Sequence, residues 1–231
     1  MQPIQSVLDI LFPPRCAGCH KSGYILCPSC TAQIRTLTPP FCQQCSTPLA
    51  SDNTCQQCRY QPLRLNGLHA FGIYEEPLRA CIHALKYDGN TRLAEPLGQL
   101  LAQAYLNYGL RADAITPVPL HSERQAQRGY NHASLLAKVC ATQIRVPMYD
   151  DILIRQRATP AQVGLAHWER LQNVAGAFLC TPTFATRALR GRRIVVIDDV
   201  STTGATLEAC AAPLFAAGAR EVWGLVLAKP L

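Results

Sequence analysis

One segment near the C-terminus combines a buried strand, two adjacent acids and a loop of small residues. Residues 193–206 read RIVVIDDVSTTGAT. The branched apolar residues at 194–197 and Val200 predict a strand covered on both faces, as in a parallel sheet. A helical pattern follows the loop, with apolar positions at Leu207, Cys210, Ala211, Leu214 and Phe215. The segment therefore predicts a strand–loop–helix unit of an α/β protein.

The loop of this unit suits an anion, because its N–H groups and the positive end of the helix dipole converge on one point. Gly204 lets the backbone approach the anion without a Cβ. Asp198 and Asp199 would repel a phosphate and suit ribose hydroxyls, the water shell of a metal ion or a developing cation. A strand and turn that bind nothing are the alternative. Hydroxyl donors come from Ser201, Thr202, Thr203 and Thr206.

Four Cys-x2-Cys pairs lie between residues 16 and 58. Two thiolates of one tight turn can face the same ion, and two such turns complete the tetrahedral sulfur site that zinc prefers. The pairs predict two structural Zn²⁺ ions, with disulfides and an iron–sulfur cluster as alternatives. Crossed pairing stays open beside the simplest, sequential pairing. Sequential pairing gives one site with Cys16, Cys19, Cys27 and Cys30 and another with Cys42, Cys45, Cys55 and Cys58.

Strand and helix patterns alternate after the cysteines, which predicts an α/β fold with a mostly parallel sheet and flanking helices. We divide the chain into a zinc-ribbon module, 1–62, and an α/β domain, 63–231. The predicted helices span 77–85, 93–105 and 130–144, besides the one after residue 206. The predicted strands span 67–74, 114–118, 151–154, 178–179, 194–200 and 222–227. The unpaired cysteines are interpreted as small core residues: Cys81, Cys140, Cys180 and Cys210.

The charge of the chain is unevenly distributed. The formal net charge is +7, and two zinc tetrathiolate sites would lower it to about +3. Between residues 111 and 193 twelve Lys and Arg stand against five Asp and Glu, which fits a heavily anionic ligand or a path for single-stranded nucleic acid. No stretch approaches the ~20 apolar residues of a membrane span, and residues 1–12 lack the basic start of an export signal. We therefore expect a cytoplasmic protein.

Residues 195–206 closely resemble the phosphoribosyl-pyrophosphate (PRPP) motif of type I phosphoribosyltransferases, which has four apolar residues, two acids, an apolar residue and a Thr/Ser/Gly loop. Further segments resemble the ComF-type competence proteins and their gluconate-locus relatives. These proteins carry an N-terminal zinc ribbon and a phosphoribosyltransferase-like domain. The matching segments are PVPLH…R…RGYN at 117–131, R-x-R-x-T-x-x-Q at 155–162 with Arg170 and Asn173 downstream, and Lys86-Tyr87 before Asp88-Gly89.

The resemblance implies a site for PRPP with Mg²⁺. Asp198 and Asp199 would stabilise the ribose cation and bind its hydroxyls, together with Arg155 and Arg157 as catalytic residues. The segment 155–170 resembles the flexible loop that closes over PRPP, or is a polar solvent-facing loop. The 5′-phosphate would lie at Val200, Ser201, Thr202, Thr203, Gly204, Ala205 and Thr206. The pyrophosphate loop and other PRPP ligands would be Pro119, Leu120, His121, Arg124, Arg128, Lys86, Gln162 and Arg170.

Two functional hypotheses follow from these features. The first is a phosphoribosyltransferase of natural competence or DNA use, which joins ribose 5-phosphate to an unidentified acceptor. The second is a non-catalytic competence factor that binds single-stranded DNA, has a competence helicase as a possible partner, and uses PRPP only as a ligand or keeps only the fold. No acceptor pocket is recognisable. His121, His132 and His167 lack a metal-like spacing and are interpreted as ordinary polar residues.

Overall fold

A parallel sheet forms the centre of the computed structural model, which describes residues 13–159, 167–185 and 188–231. Its four strands lie in the order β1-β6-β5-β2, so β5 and β6 are internal. All apolar residues of β5 between 194 and 197 are fully buried, as the branched run predicts. The strands are β1 (Gly67–Ile73), β2 (Ala114–Pro117), β3 (Leu153–Arg155), β4 (Phe178–Cys180), β5 (Arg193–Val200) and β6 (Glu221–Lys229).

Helices cover both faces of the sheet. Val195 and Ile197 share one apolar cluster with residues of α3, α4 and α6, whereas Ile194 and Val196 share another with residues of α9. This alternation follows from the two-residue period of a strand. The helices are α1 (Pro28–Gln33), α2 (Gln56–Tyr60), α3 (Leu78–Tyr87), α4 (Ala94–Asn107), α5 (Ser122–Arg128), α6 (His132–Ile144), α7 (His167–Val174), α8 (Pro182–Ala185) and α9 (Ala205–Ala216).

The strands β3 and β4 form a separate antiparallel pair, so their prediction as members of the main sheet is wrong. Leu153 and Phe178 are buried, whereas Ile154 and Leu179 are 44% and 43% exposed. Strands of a parallel sheet bury both faces, and these bury only one. The apolar composition alone does not distinguish the two cases.

The cysteine-rich segment packs directly against the edge of the sheet. Leu37 N–H donates to Phe71 O (3.0 Å) and Ile73 N–H to Arg35 O (2.9 Å), so this segment pairs with β1. A Cβ on Gly72 would lie 2.7 Å from the carbonyl oxygen of Arg35, and glycine therefore permits the close approach. The division at residues 62 and 63 stays a prediction about sequence units, because the two units share hydrogen bonds.

Two segments that were expected to be loops contain helices. Residues 122–128 form α5 within the predicted pyrophosphate loop, and Arg170 lies on α7 within the predicted flexible loop. Gln162, which was predicted to contact PRPP, lies outside the described residues. Within the described part of the chain, no helix has the length and apolarity to cross a membrane.

Candidate metal centres and anion-binding cleft

The eight paired cysteines form two tetrads with sequential pairing. One tetrad contains the first and second pairs and the other contains the third and fourth, and within each tetrad the ligand atoms lie within 4.8 Å of one another. The sulfur atoms of Cys19 and Cys27 are 3.6 Å apart, much farther than the ~2.05 Å of a disulfide. The geometry resolves the pairing that the spacing left open.

Backbone N–H groups donate hydrogen bonds to sulfur atoms in both tetrads. Cys27 and Cys55 cap α1 and α2, where each sulfur accepts a hydrogen bond of 3.4 Å, from Cys30 N–H and Cys58 N–H respectively. Burial opposes ionisation of Cys16, but N–H donors including that of Cys27 outweigh it and lower its pKa to about 6. Thiolates are the form that binds zinc, so these residues fit a zinc ion in each ribbon.

Asp198 and Asp199 lie at the carboxyl end of β5, where Asp199 is held by a cation. Lys86 Nζ, at the end of α3, lies 2.7 Å from Asp199 Oδ2, and the Asp199 side chain is 3% exposed. Burial opposes ionisation of Asp199, but Lys86 and His132 outweigh it and hold its pKa well below the usual range. Asp199 is therefore a fixed negative charge.

The pKa of Asp198 is shifted in the opposite direction from that of Asp199. Burial and the neighbouring charge of Asp199 raise the pKa of Asp198 to about 8. Asp198 Oδ1 also accepts a hydrogen bond from the backbone N–H of Asp199 at 2.9 Å. Adjacent carboxylates in one buried site do not both ionise readily. Near neutral pH the pair thus carries one negative charge, and Asp198 has a proton to share with a ligand oxygen.

His132 belongs to this site, and its interpretation as an ordinary polar residue is wrong. Its Nδ1 accepts from Arg128 Nη1 at 2.7 Å, since guanidinium can only donate. The neutral ring therefore carries its proton on Nε2, which lies 3.5 Å from Asp199 Oδ1. Burial lowers the pKa of His132, although Asp199 opposes this. The sequence signal that could have indicated this role is the position of His132, directly after the RGYN segment and at the start of α6.

The acids lie in an open cleft of about 900 Å³ that cationic side chains also line. Tyr74, Tyr87 and Tyr130 also line the cleft; Tyr87 and Tyr130 belong to the matching sequence segments, whereas no sequence signal indicated Tyr74. Arg128 lies over the Tyr87 ring, 5.4 Å from its centroid. The predicted residues that the structure brings together here are Lys86, Leu120, Arg124, Arg128, Arg155, Arg170, Asp198, Asp199, Val200, Thr202 and Thr206.

Other predicted residues lie beside or away from the cleft lining. Arg157 donates to the carbonyls of Asn173 (3.0 Å) and Ala175 (2.9 Å), so it ties its own segment to the end of α7, and its catalytic role stays a prediction. Gly204 directly precedes α9 and has a φ of +85°, which suits glycine. The remaining predicted residues that do not line the cleft are Pro119, His121, Ser201, Thr203 and Ala205.

Comparison with known proteins assigns the family. Residues 7–59 match the Double zinc ribbon domain family. Over 226 residues the chain is 32% identical to Competence protein F of Haemophilus influenzae, which covers 93% of this chain and 97% of that relative. The chain belongs to the competence protein F family. This result confirms the predicted membership in the ComF-type proteins. The two cysteine tetrads fit the double zinc ribbon that the family model describes.

A second relative is DNA utilization protein YhgH of Salmonella typhimurium, with 32% identity over 213 residues, 88% of this chain and 91% of the relative. Among solved structures, the glutamine phosphoribosylpyrophosphate amidotransferase of B. subtilis with ADP and GMP has a TM-score of 0.42 and 20% identity. That alignment covers 63% of this competence protein F homologue and 30% of the amidotransferase chain.

Proposed function

We propose that this protein binds PRPP with Mg²⁺ in the cleft and transfers the phosphoribosyl group, with release of pyrophosphate, in the use of external DNA. The observation that carries the proposal is the acid pair Asp198–Asp199 at the carboxyl end of an internal parallel strand, surrounded by cations. Ligands of open α/β sheets bind at this end of the strands. A molecule with two anionic ends and a polar sugar between them matches the cleft.

Two groups of cations and donors would hold the two ends of PRPP. Arg170 Nη1 donates to the Thr202 hydroxyl at 2.6 Å, so the start of the 201–206 loop and α7 form one side, which suits the 5′-phosphate. Arg124 and Arg128 follow β2 on α5 and form the other side, which suits pyrophosphate through charge-assisted bonds. Bound Mg²⁺ would neutralise charge on the leaving group.

In this proposal the Asp199 carboxylate lowers the barrier of the reaction. When the bond from C1′ to the pyrophosphate oxygen breaks, its electron pair leaves with pyrophosphate, and the ribose becomes cationic. A fixed carboxylate stabilises this developing charge. Lys86 and His132 hold Asp199 in place, and Asp198 can share its proton with a ribose hydroxyl oxygen. The acceptor then forms the new bond to C1′ and loses a proton to solvent.

Calorimetric titration with PRPP and Mg²⁺ tests this proposal. We expect the wild-type chain and the Asp150→Asn control to bind alike, because Asp150 is exposed and bonded to Ser134. The double variant Asp198→Asn, Asp199→Asn should lose binding by more than about tenfold. Equal binding by the double variant would reject the assignment. Pyrophosphate release over a panel of bases and amines then separates an enzyme from a protein that only binds PRPP.

Single-stranded DNA binding by the ribbons is the second candidate function. Tyr60 is 84% exposed and follows Arg59, and Lys21 Nζ lies 5.7 Å from the centroid of the Tyr24 ring. Exposed aromatic rings beside cations suit stacking with bases and contact with phosphates. A competence helicase partner and a cytoplasmic location remain predictions that accompany this candidate.

The DNA candidate is best tested in the full chain, because removal of residues 1–62 would uncover β1. Affinity for an oligothymidine should fall with rising salt and should fall about fivefold or more in the variant Tyr60→Ala, since one stacked base contributes about 1–3 kcal/mol. The control is Tyr149→Ala, a partly exposed tyrosine far along the chain. A flat salt response, or equal effects of both variants, would reject this candidate.

A further inference from the structure

The second cysteine tetrad and the proposed phosphate loop are joined by a buried lysine. Lys229, the last residue of β6, is 3% exposed. Its Nζ donates to the backbone carbonyl of Thr202 at 2.7 Å. Burial lowers the pKa of Lys229, and the sulfur charges of all four cysteines of the second tetrad oppose this. The ammonium is thus bonded to the loop, and negative charge on the tetrad favours its protonated form.

An apolar contact joins the same two regions independently. Leu63 packs against the tetrad of Cys42, Cys45, Cys55 and Cys58. Its two methyl carbons lie 3.3 Å from the position that a Cβ on Gly204 would occupy. Leu63 therefore lies between the metal-binding cysteines and the residue at which the loop turns into α9.

The first tetrad has different neighbours. Leu26 packs against Cys16, Cys27 and Cys30, and a Cβ on Gly18 would lie 2.8 Å from Pro77, just before α3. The first ribbon thus adjoins the start of α3, whereas the second adjoins the 201–204 loop. The first tetrad is therefore an internal control: a general effect of metal on the fold would appear when either tetrad is altered, and a specific effect on the loop only when the second is altered.

We propose that the second tetrad positions the 201–204 loop through Lys229 and Leu63, so that binding of a phosphate group at this loop depends on the metal state of that ribbon alone. Zinc on four thiolates leaves a net negative site, and this charge stabilises the buried ammonium of Lys229. The ammonium in turn fixes the Thr202 carbonyl and with it the path of the loop. The inference rests on the proposed function in assigning the sugar phosphate to this loop. Lys229 and Leu63 are positioning residues, because they act through the loop.

Ribose 5-phosphate and inorganic pyrophosphate are separate probes of the two ends of the cleft. Lys229→Met and Leu63→Ala should each weaken ribose 5-phosphate binding about tenfold in the full chain and change pyrophosphate binding less than about twofold. Leu26→Ala, the matched change beside the first tetrad, should alter neither. Zinc content should stay at about two ions per chain in all three variants. Unchanged ribose 5-phosphate binding in Lys229→Met and Leu63→Ala would overturn the inference.

Amide hydrogen exchange tests the coupling without any ligand. Amides of residues 202–204 should exchange about tenfold faster in Lys229→Met than in the wild type, while those of β5 and β6 stay unchanged. Cys58→Ser should reproduce this local effect, and Cys30→Ser, at the equivalent position of the first tetrad, should not. Uniformly faster exchange would show a general loss of stability and would overturn the coupling. A wild type that binds neither probe but shows the local exchange effect would reject the proposed function and keep the coupling.

Discussion

Lys86 and Asp199 are 113 residues apart in the chain, and their side chains form an ion pair of 2.7 Å in the cleft. Lys86 lies in the last turn of α3, the helix that starts beside the first ribbon, and Asp199 is the next-to-last residue of β5. The pair thus fixes the position of α3 relative to β5. It also explains how a buried carboxylate stays ionised beside a second acid.

Removal of Lys86 should destabilise the protein strongly. In Lys86→Met, His132 is the group that still favours the Asp199 carboxylate among the described residues. Breaking a buried pair from one side costs about 3 kcal/mol or more in free energy of unfolding. Urea denaturation measures the loss. The control on the same helix is Arg79→Met, whose partner Glu76 is exposed, and it should cost less than about 1 kcal/mol. Similar losses for both variants would contradict this account of the pair.

In the absence of Mg²⁺, titration of Asp198 should lower the stability of the protein as pH rises from about 6 to about 8. The Cys16 thiol, whose pKa is lowered to about 6, contributes in the opposite direction over this range. The pKa of Asp198 is about 8 in the folded state because of burial and Asp199, and about 3.9 in an unfolded chain. Between these values the folded state holds a proton that the unfolded state has lost. Each unit of rising pH therefore costs at most about 1.4 kcal/mol, and the decline ends above the folded-state pKa.

Asp198→Asn checks the origin of this decline. The amide mimics the protonated acid and does not titrate, so the denaturation midpoint of the variant should rise with pH relative to that of the wild type over the same range. The variant should gain stability relative to the wild type at the upper end. A variant whose denaturation midpoint has the same pH dependence as that of the wild type would contradict the raised pKa.

His132 should orient Arg128 for pyrophosphate. His132→Phe keeps a planar ring but removes the Nδ1 acceptor, so pyrophosphate affinity should fall about tenfold, or about 1.4 kcal/mol, with ribose 5-phosphate affinity nearly unchanged. His83→Phe is the matched control, because His83 also lines the cleft but is exposed at its rim. Titration calorimetry gives both affinities. If the two variants behave alike, His132 has no positioning role.

The cysteine tetrads should each carry one zinc ion. We expect about two zinc ions per purified chain by elemental analysis and about one in Cys30→Ser. After denaturation with a chelator and no reductant, all twelve cysteines should react with a thiol reagent. Four reactive thiols would indicate disulfides within the tetrads, and visible absorption of the purified protein would indicate an iron–sulfur cluster.

The sequence predicted the parts of the fold that rest on long apolar runs and on fixed spacing. β5 and β6 are internal strands buried on both faces, so their composition alone identifies them. The Cys-x2-Cys spacing identifies metal ligands because two residues set the geometry of the turn. The short pair β3–β4 was assigned to the wrong sheet, since three-residue strands carry too little pattern to show which partner they have.

The contacts that complete the site could not be predicted in this way. His132 is a single residue without metal-like spacing, and its role depends on where α6 meets β5. Lys229 lies at the end of β6, and its hydrogen bond to the Thr202 carbonyl joins β6 to the loop that follows β5. Such long-range relationships arise from tertiary packing, which no local pattern of residues records.

The pairing of the cysteine-rich segment with β1 has a consequence for handling the protein. Backbone hydrogen bonds occupy the outer side of β1, which would otherwise be a free strand edge: Leu37 N–H donates to it, and the carbonyl oxygens of Arg35 and Gln44 accept from it. Free edges recruit strands from other molecules. A chain stripped of zinc should therefore self-associate into aggregates rather than persist as a partly folded monomer, and light scattering would detect the loss of metal before circular dichroism reports loss of the sheet.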